Sequence, residues 1–429
     1  MARPRRLLYL DTRGLPNERQ AEILAATNHG DTVVMATSNP QQYRGYDLEH
    51  VITAPLNDHP TAERVILSAL REARLKIDGV IAWKDGEVEL AARIGAALGL
   101  PATPLKMVPN VRNKFRTRQA LEQLVGANPR YHPIRSSSDL VKALSVTGVP
   151  CLIKPAGNSG GRGIRRINSD SDPEEVYREF IHYNAAQSEP MYQYYNDIAL
   201  VEEVLTGSEH SISGLVADGR VSILAVVDKE FDRSLSLQYQ NVVPTLLAEK
   251  EIARLLVLAR AAVTATGIDN CGFHIDVMLT ASGPKILEIG GRLGGELINS
   301  HLIPLAQPSL NPYRMLIDIV TGTTISIEED YTGSYRSQAG ARMVMPPNFG
   351  TIVAISGVER VRCDSRCRDF VQLYGPGSQM VPPRIQYKAF EIGYIVAQST
   401  TGDIMDALND LAGRIDVTMA DTCNGRSDQ

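Results

Sequence analysis

Short apolar runs alternate with amphipathic stretches along the first 110 residues of the chain. Apolar runs of strand length occur at residues 7–10, 32–37 and 79–83. Apolar residues recur at helical spacing over residues 61–75 and 87–98. Strands that alternate with helices in this way predict a doubly wound parallel sheet.

The tetrapeptide Lys84-Asp85-Gly86-Glu87 directly follows the third of these predicted strands. Loops at the carboxyl ends of parallel strands are where such sheets bind ligands. The same residues also suit a polar turn that caps the next helix. Position alone does not decide between the two interpretations.

A second region begins after the proline-rich segment 101–109, which we interpret as a linker because prolines fix the chain in an extended form. Two turns in this region, Asp218-Gly219 and Ser282-Gly283, predict β-hairpins. The predicted helices are residues 113–125, 173–182, 249–266, 296–304 and 312–321. The predicted strands are residues 150–154, 163–167, 198–203, 210–218, 221–228, 272–280 and 284–290.

The remainder of the chain predicts a small α+β cap, with strands at residues 339–345, 351–356 and 391–398 and a helix at 403–412. Single domains usually run to about 100 to 200 residues, so a chain of 429 residues predicts three domains. We expect a Rossmann-like α/β domain, a central domain with a lid subdomain, a C-terminal α+β domain and a frayed polar tail. Their bounds are residues 1–110, 111–325 (the lid about 150–230), 326–420 and 421–429.

Composition restricts the partners and the compartment. Charged residues make up 22% of the chain and the net charge is −5, which gives no field that would hold nucleic acid or an anionic membrane. The N-terminal apolar run is too short for a signal peptide, and no run approaches the roughly 18 apolar residues of a membrane helix. Five scattered cysteines suit a reducing compartment, so we expect a cytoplasmic protein. Cys363 and Cys367 could share a helical face, but without a second ligand pair at zinc spacing they are interpreted as ordinary thiols.

A glycine-rich loop, Gly157-Asn-Ser-Gly-Gly-Arg-Gly163, follows the predicted strand that carries Lys154. Such a loop can turn its backbone N–H groups toward phosphate oxygens while the lysine supplies positive charge. It does not match the Walker pattern, because no Gly-Lys-Ser/Thr ends it and a strand follows it. A flexible hairpin tip is the alternative.

Acidic residues also end the predicted strand 198–203, in the sequence Glu202-Glu-Val-Leu205. Carboxylates and backbone groups at a strand end can hydrogen-bond an adenine amino group and ribose hydroxyls. A solvated sheet edge is the simpler interpretation of this segment when it is taken alone.

The second predicted hairpin carries Asp276 on one strand and Glu288 on the other. Strand alternation places His274, Asp276 and Met278 on one face, and Ile286, Glu288 and Gly290 on one face of the return strand. The two carboxylates can therefore point into one cavity beside bound phosphates, as magnesium requires. A pair of exposed acids is the alternative, but the flanking residues are apolar and predict buried strands.

Three further side chains are candidates for the chemistry. Arg292, in Gly290-Gly-Arg-Leu-Gly-Gly-Glu296, would bring a planar cation past the metal to an acyl phosphate or a carboxylate. His274 could contact substrate or accept the proton of an amine, and a structural, hydrogen-bonded histidine explains it equally well. Lys229 could hold a substrate carboxylate, although a solvated strand end is the simpler interpretation.

The order of these features along the chain resembles the ATP-grasp superfamily, and within it the carboxylate-amine ligases, including the L-amino-acid ligases that make dipeptides. The resemblance covers nearly the whole chain and includes a biotin-carboxylase-like first domain. It implies that Lys114, in Asn113-Lys-Phe-Arg-Thr-Arg118, and Lys154 bind the phosphates of ATP.

The resemblance also assigns the other site residues. Glu202 to Leu205 would form the adenine-binding hinge, and Glu209 would bind the ribose. Asp276 and Glu288 would bind Mg²⁺, and Arg292 would steady the acyl phosphate. Residues of the mobile loop over the phosphates would be Gly157, Ser159, Gly160, Gly161 and Gly163.

Two departures from the family pattern concern the metal. Many members carry Glu-x-Asn before the arginine, and here the asparagine position is Gly290. The first acid is Asp276 where many amino-acid ligases have glutamate, which shortens its reach. One or two Mg²⁺ ions are expected, with Mn²⁺ as a substitute, and a second ion would be held by Glu288, phosphate and water alone.

The expected function is ATP-dependent ligation of a small-molecule carboxylate to an amine through an acyl phosphate, with release of ADP and phosphate. Neither substrate is identified, and a homodimer is the commonest assembly of soluble enzymes. The alternatives within the superfamily are a carboxylase, a purine-type ligase and a carboxylate-thiol ligase that acts on a carrier protein. A non-catalytic ATP-binding regulatory protein is the alternative outside enzymes, and Arg292 with both acids argues against it.

Overall fold

The computed structural model describes residues 3–186, 194–195, 198–232, 237–323, 328, 330–382 and 389–420. The chain divides into two compact units. Unit 1 comprises Met1–Val226, Leu247–Gly295 and Asn311–Thr332, and unit 2 comprises Val227–Leu246, Glu296–Leu310 and Gly333–Gln429. Within the described ranges, every helix is too short or too polar to cross a membrane.

Unit 1 begins with a four-stranded parallel sheet in the order β3-β2-β1-β4, which confirms the predicted doubly wound arrangement. The sequence did not reveal β3, in which only Ile52 is buried, or α1, which turns Glu18 and Glu22 inward and so lacks an apolar stripe. The strands are β1 Arg6–Leu10, β2 Thr32–Thr37, β3 His50–Thr53 and β4 Gly79–Ala82, and the helices are α1 Pro16–Thr27, α2 His59–Glu72 and α3 Val88–Leu98.

The predicted linker is extended only over residues 101–104, and from residue 105 onward the chain folds into short helices, where the prediction was wrong. A 3₁₀ turn at Leu105–Met107 leads into α4 (Pro109–Arg112), and Val108 between them is fully buried. Proline suits the first turn of a helix as well as an extended chain, because that turn leaves its N–H groups unpaired. The next helix, α5 (Lys114–Ala120), is capped by Asn113 and ends earlier than predicted.

A small antiparallel sheet follows, in the order β5-β8-β6-β7. Two helices complete its core, in which Leu140, Phe180 and Val201 are buried. The strands are β5 Tyr131–Ile134, β6 Cys151–Pro155, β7 Arg165–Ile167 and β8 Ala199–Glu203, and the helices are α6 Ser138–Thr147 and α7 Pro173–Ala185.

The rest of unit 1 is built on antiparallel strands in the order β13-β12-β9-β10. Helix α8 packs its apolar stripe, including Leu255 and Val263, against Phe273, Ile275 and Val277 of β12. Asp218 and Gly219 both have positive φ in the turn between β9 and β10, as the hairpin prediction requires. The elements are β9 Ser208–Ala217, β10 Arg220–Asp232, α8 Glu249–Thr266, β12 Cys271–Thr280, β13 Gly283–Gly290 and α10 Pro312–Val320.

Unit 2 contains the end of β10 and four further strands in the order β10-β11-β14-β18-β16, together with a small sheet in the order β17-β15-β19. The single helix predicted at residues 296–304 is instead a π-helical turn, Ile298–Leu302, followed by α9, and Glu296 and Leu297 before it have positive φ. The elements are β11 Leu237–Val243, α9 Ile303–Ala306, β14 Gln338–Val344, β15 Gly350–Ser356, α11 Val358–Arg362, β16 Cys367–Gln372, β17 Gln379–Met380, β18 Gly393–Ser399, α12 Ile404–Ala412 and β19 Asp416–Met419.

The four cysteines that the structure describes are free thiols. Cys363 directly follows α11 and Cys367 begins β16, so the two do not share a helical face as the spacing had suggested. Cys423 and the tail predicted to fray lie outside the described residues.

Candidate active site

The hairpin of β12 and β13 brings two carboxylates together in unit 1. Asp276 lies directly opposite Glu288 in the strand register, and both side chains are partly exposed. A bulge follows, so that Ile286 pairs with Val277 and joins the hydrophobic core. The prediction that Ile286 shares a face with Glu288 was therefore wrong, because an extra residue in one strand reverses the alternation.

Lys114 reaches this hairpin from the start of α5. Its Nζ lies 3.2 Å from Glu288 Oε2, and it also donates a hydrogen bond to the carbonyl of Asn158. Asn158 belongs to the glycine-rich loop, so one lysine connects the loop with the acid. This is the position that a lysine beside bound phosphate and metal would occupy.

Lys154 and Glu202 lie on neighbouring strands, β6 and β8, and form an ion pair that also includes Arg118. Glu202 is only 2% exposed, so the interpretation of this strand end as a solvated edge was wrong. Burial by itself would raise the pKa of Glu202, but Arg118 and Lys154 outweigh it and lower the pKa to about 2. The group carries two cations and one carboxylate, and the surplus positive charge suits a phosphate.

The predicted adenine-binding hinge begins in the last two residues of β8, and the predicted ribose-binding residue, Glu209, lies at the start of β9. The side chain of Glu202 is committed to its two cations, and the backbone N–H groups of Glu203 and Val204 donate to the carbonyls of Arg130 and Pro150. Adenine would have to use the other backbone groups of the segment up to Leu205, which is half-buried. Glu209 pairs with Met278 across β9 and β12, two residues from the pair of Ser211 with Asp276. Residues two apart share a face of a sheet, so Glu209 is on the face that carries Asp276.

The glycine-rich loop connects β6 to β7. Its base is buried at Gly157 and Asn158, Ser159 is half-buried, and its tip at Gly160 and Gly161 is exposed. Gly161 has a φ of +71° with open space around it, a conformation that residues with a Cβ rarely adopt. Gly163, where the loop returns to β7, is buried again.

Arg292 makes a bidentate ion pair with Asp85. The Nε–Oδ1 distance is 3.2 Å and the Nη2–Oδ2 distance is 2.5 Å. Burial would raise the pKa of Asp85, but Arg292 and Arg112 hold it far below the usual range. The sequence allowed two interpretations of the turn that carries Asp85, a ligand-binding loop or a cap for the next helix. In the structure the turn precedes α3 and also contacts Arg292, the predicted catalytic arginine.

His274 is 7% exposed, and its Nδ1 lies 3.2 Å from the carbonyl oxygen of Arg292. A carbonyl only accepts hydrogen bonds, so Nδ1 is the protonated nitrogen of the neutral ring. Burial and the charge of Arg292 lower the pKa of His274, which favours that neutral ring. A Cβ added to Gly290 would stand 2.0 Å from His274 Cε1, so the imidazole occupies the space that a side chain at position 290 would need.

Lys229 lies on β10 in unit 2, with its ammonium 5.5 Å from the centre of the Phe231 ring. Arg118 and Arg112 were not predicted as site residues, and Asp85 was named only within the tetrapeptide 84–87, for which ligand binding was one of two interpretations. Arg118 follows Lys114 by four residues, which places both on one face of α5, and that spacing was the available signal.

The donor chemistry can be compared with what magnesium requires. Among the described residues, no group of three or more histidine, cysteine or acidic side chains could hold a metal ion. The hairpin offers two carboxylates, and Mg²⁺ is usually held by one or two carboxylates together with phosphate and water. The residues present therefore fit magnesium that arrives with a nucleotide.

Comparison with known families identifies the central region. Residues 147–300 match the model of the ATP-grasp domain. The structure superposes on the crystal structure of an L-amino acid ligase from Bacillus licheniformis with a TM-score of 0.81 at 20% identity, covering 98% of this chain and 100% of that one. The chain therefore carries an ATP-grasp domain and has the ATP-grasp fold, which confirms the resemblance predicted from the sequence.

Two similar proteins of known name match this chain over only part of their own length. Carnosine synthase 1 of Mus musculus is 24% identical over 295 residues, which cover 66% of this chain and 36% of the relative. Alanine–anticapsin ligase of Bacillus subtilis (strain 168) is 23% identical over 211 residues, 46% of this chain and 44% of the relative. The chain thus matches less than half the length of either relative.

Proposed function

We propose that this chain, which has the ATP-grasp fold, is an ATP-dependent ligase that joins the carboxylate of one small molecule to the amine of another. The observation that carries the proposal is the pair Asp276 and Glu288, opposite each other in one hairpin, with Lys114 3.2 Å from Glu288. Two acids beside a lysine suit a magnesium–nucleotide complex better than a purely structural contact, because like charges directly opposite each other destabilise a hairpin.

In this proposal, Lys114, Lys154 and the loop from Gly157 to Gly163 hold the phosphates of ATP. Backbone groups between Glu202 and Leu205 hold the adenine, and Glu209 holds the ribose. Asp276 and Glu288 hold one Mg²⁺, and a second ion would have Glu288, phosphate and water as ligands. The metal, when bound, neutralises negative charge on the β- and γ-phosphates.

The reaction has two steps. A carboxylate oxygen of the donor attacks the γ-phosphorus of ATP, the bond to the bridging oxygen breaks, and ADP leaves with that electron pair. The nitrogen of the acceptor then attacks the carbonyl carbon of the acyl phosphate, phosphate leaves, and the nitrogen loses a proton. Arg292 holds the acyl phosphate through charge and hydrogen bonds, and closure of the glycine-rich loop excludes water that would hydrolyse it.

Amino acids are the proposed substrates. The support comes from the printed names of the similar proteins, an L-amino acid ligase, a carnosine synthase and an alanine–anticapsin ligase. The free cysteines of the described residues support a reducing compartment, for which we propose the cytoplasm.

The test is release of ADP and phosphate from MgATP with panels of amino acids, with hydroxylamine as a trap for the acyl phosphate. We expect hydroxamate formation that equals ADP release. ATP binding without any hydroxamate would contradict the ligase, and release of AMP and pyrophosphate would show adenylation instead.

Arg292→Ala is expected to abolish turnover while ATP affinity changes little, because Arg292 is assigned to the acyl phosphate. Arg116→Ala is the matched control, because Arg116 is an exposed arginine of α5. A large loss of ATP binding in Arg292→Ala would assign that residue to the nucleotide.

A further inference from the structure

Arg13 is a buried cation that connects two helices to the backbone segment 290–295 after β13. It lies in the loop after β1 and is 6% exposed. Its Nη1 donates to Glu22 Oε1 on α1 at 2.6 Å and to the hydroxyl of Tyr313 on α10 at 2.9 Å. Its Nη2 donates to the carbonyls of Leu293 and Gly294, at 2.5 and 3.1 Å. The two helices thus hold one side of the guanidinium, and the other side supports the segment.

The carbonyl of Leu293 is shared by two guanidinium groups. It accepts a hydrogen bond from Arg13 and another, at 2.9 Å, from Nη1 of Arg292. Asp85 accepts from the other two nitrogens of Arg292, Nε and Nη2. Among the described residues, Arg292 therefore uses three of its five N–H groups, and one N–H remains on each terminal nitrogen. Such a pair of parallel donors suits two oxygens of a phosphate or a carboxylate.

The contacts of Arg13 exceed what an ion pair requires. Its guanidinium carbon lies 5.8 Å from the ring centres of Trp83 and of Tyr313, and a Cβ added to Gly295 would stand 3.4 Å from its Nε. A lysine could neutralise Glu22, but its ammonium is a point charge, whereas the planar guanidinium reaches the acid and both carbonyls at once. Arginine at this position therefore supports the segment as well as balancing a buried acid.

We propose that Arg13 is a positioning residue for the ligation, which acts on Arg292 through the carbonyl of Leu293. Together with Asp85 it fixes the direction of the two N–H groups that Arg292 keeps for a ligand. The inference rests on the proposed function, in which Arg292 holds the acyl phosphate, and deepens it by assigning the support of that arginine. A misplacement of about 1 Å, caused by a change outside the site, can lower a rate roughly 100-fold, so such support matters for turnover.

The first measurement separates turnover from nucleotide binding in Arg13→Lys. This variant keeps a cation beside Glu22 but loses the planar group that spans to the carbonyls. The full chain is supplied with MgATP, hydroxylamine and the amino acid of the panel that yields most hydroxamate. We expect kcat to fall roughly 10- to 100-fold, because Arg292 is no longer held in place. The KM of ATP should stay within about twofold, because Arg292 is assigned to the acyl phosphate and not to the nucleotide.

Arg5→Lys is the matched control. Arg5 is an arginine of the same unit with a side chain that is 15% exposed, and it binds Asp31 at 2.7 Å and Asp318 at 2.6 Å. These ion pairs do not involve segment 290–295. Thermal melting measures the stability that each lysine variant loses, and kcat is measured well below both melting temperatures. We expect Arg5→Lys to lower the melting temperature and to leave kcat unchanged.

A double variant, Arg13→Met with Glu22→Gln, guards against a failure to fold. It removes both charges of the buried pair, so no buried charge is left without a partner. We expect it to lose turnover as Arg13→Lys does. Hydrogen exchange of the peptide that contains residues 290–295, measured without substrates, reports on the segment independently of any reaction. Exchange there should be faster in both Arg13 variants and unchanged in Arg5→Lys.

These results separate the support of Arg292 from the ligase. If hydroxamates form but kcat is unchanged in both Arg13 variants, or falls equally in Arg5→Lys, the positioning role is wrong and the ligase stands. Normal turnover of Arg292→Ala beside impaired Arg13 variants would show that Arg13 does not act through Arg292. If the wild type forms no hydroxamate, the ligase is wrong and exchange decides alone. Faster exchange of residues 290–295 in the Arg13 variants would then support the contact, and unchanged exchange would overturn it.

Discussion

Two pairs of neighbouring strands in unit 1 carry acidic side chains. In one pair the acid is buried against cations, and in the other two partly exposed acids lie opposite each other. Glu202 on β8 contacts Lys154 on β6 and Arg118 on α5, and the side chains of all three are at most 7% exposed. On β12 and β13, Asp276 faces Glu288, both are partly exposed, and the nearest cation to Glu288 is Lys114 at 3.2 Å.

The difference is one of charge balance. The first group has two cations and one acid, a surplus of one positive charge. The second sets two acids opposite each other, with Lys114 beside Glu288. A magnesium–nucleotide complex presents both signs, phosphate oxygens and a metal ion, so the two groups complement its two parts. The same residue type, glutamate, therefore has different proposed roles that are set by its neighbours.

The largest expected effect is a loss of turnover when either acid of the β12–β13 hairpin is replaced. Asp276→Asn and Glu288→Gln should each lower turnover by roughly 1,000-fold or more, because a lost metal ligand removes several kcal/mol of transition-state stabilisation. The free energy of unfolding should change little, because relief of repulsion between the opposed acids offsets lost contacts such as that of Glu288 with Lys114. ADP release and chemical denaturation measure the two quantities. Full activity in both variants would remove the hairpin from the proposed metal site.

The next effect concerns stability and its dependence on pH. Glu202 has a pKa of about 2 in the folded chain against 4.5 as its reference value, so its stabilising contribution is complete above the reference pKa and is lost as pH falls through the folded one. The contribution of Glu202 is therefore lost between about pH 5 and pH 2. Denaturation of the wild type and of Glu202→Gln across this range should show a shallower decline in the variant.

Glu203→Gln is the control for that experiment. Glu203 is the next residue of β8, and its partner Arg130 is 62% exposed, so its ion pair is expected to contribute little. Parallel pH profiles for the wild type and Glu202→Gln would show that the buried ion pair does not govern stability in acid.

The two strand pairs also differ in how far the sequence predicts their contacts. Alternation was sufficient to predict that Asp276 and Glu288 point into one cavity from the two strands of one hairpin. The turn alone would pair Asp276 with Leu287, and the bulge is what brings Glu288 opposite Asp276. Alternation failed at Ile286, where a bulge reverses the faces. The partners of Glu202 and Arg292 were not predictable, since Arg118 is 84 residues away along the chain and Asp85 is 207 away. Pairing over such distances depends on the folded arrangement and leaves no periodic pattern in the sequence.

The smallest expected effect concerns Gly290, the glycine that ends β13 beside the two acids. Gly290→Ala places a Cβ where the His274 ring lies, so we expect a loss of about 2 kcal/mol in the free energy of unfolding, as is typical of overpacking. In the double variant with His274→Ala the clash is absent, so the two losses should be clearly less than additive. Denaturation of the four proteins measures the coupling. Additive losses would mean that the ring moves aside freely, and that the imidazole is not what requires glycine at position 290.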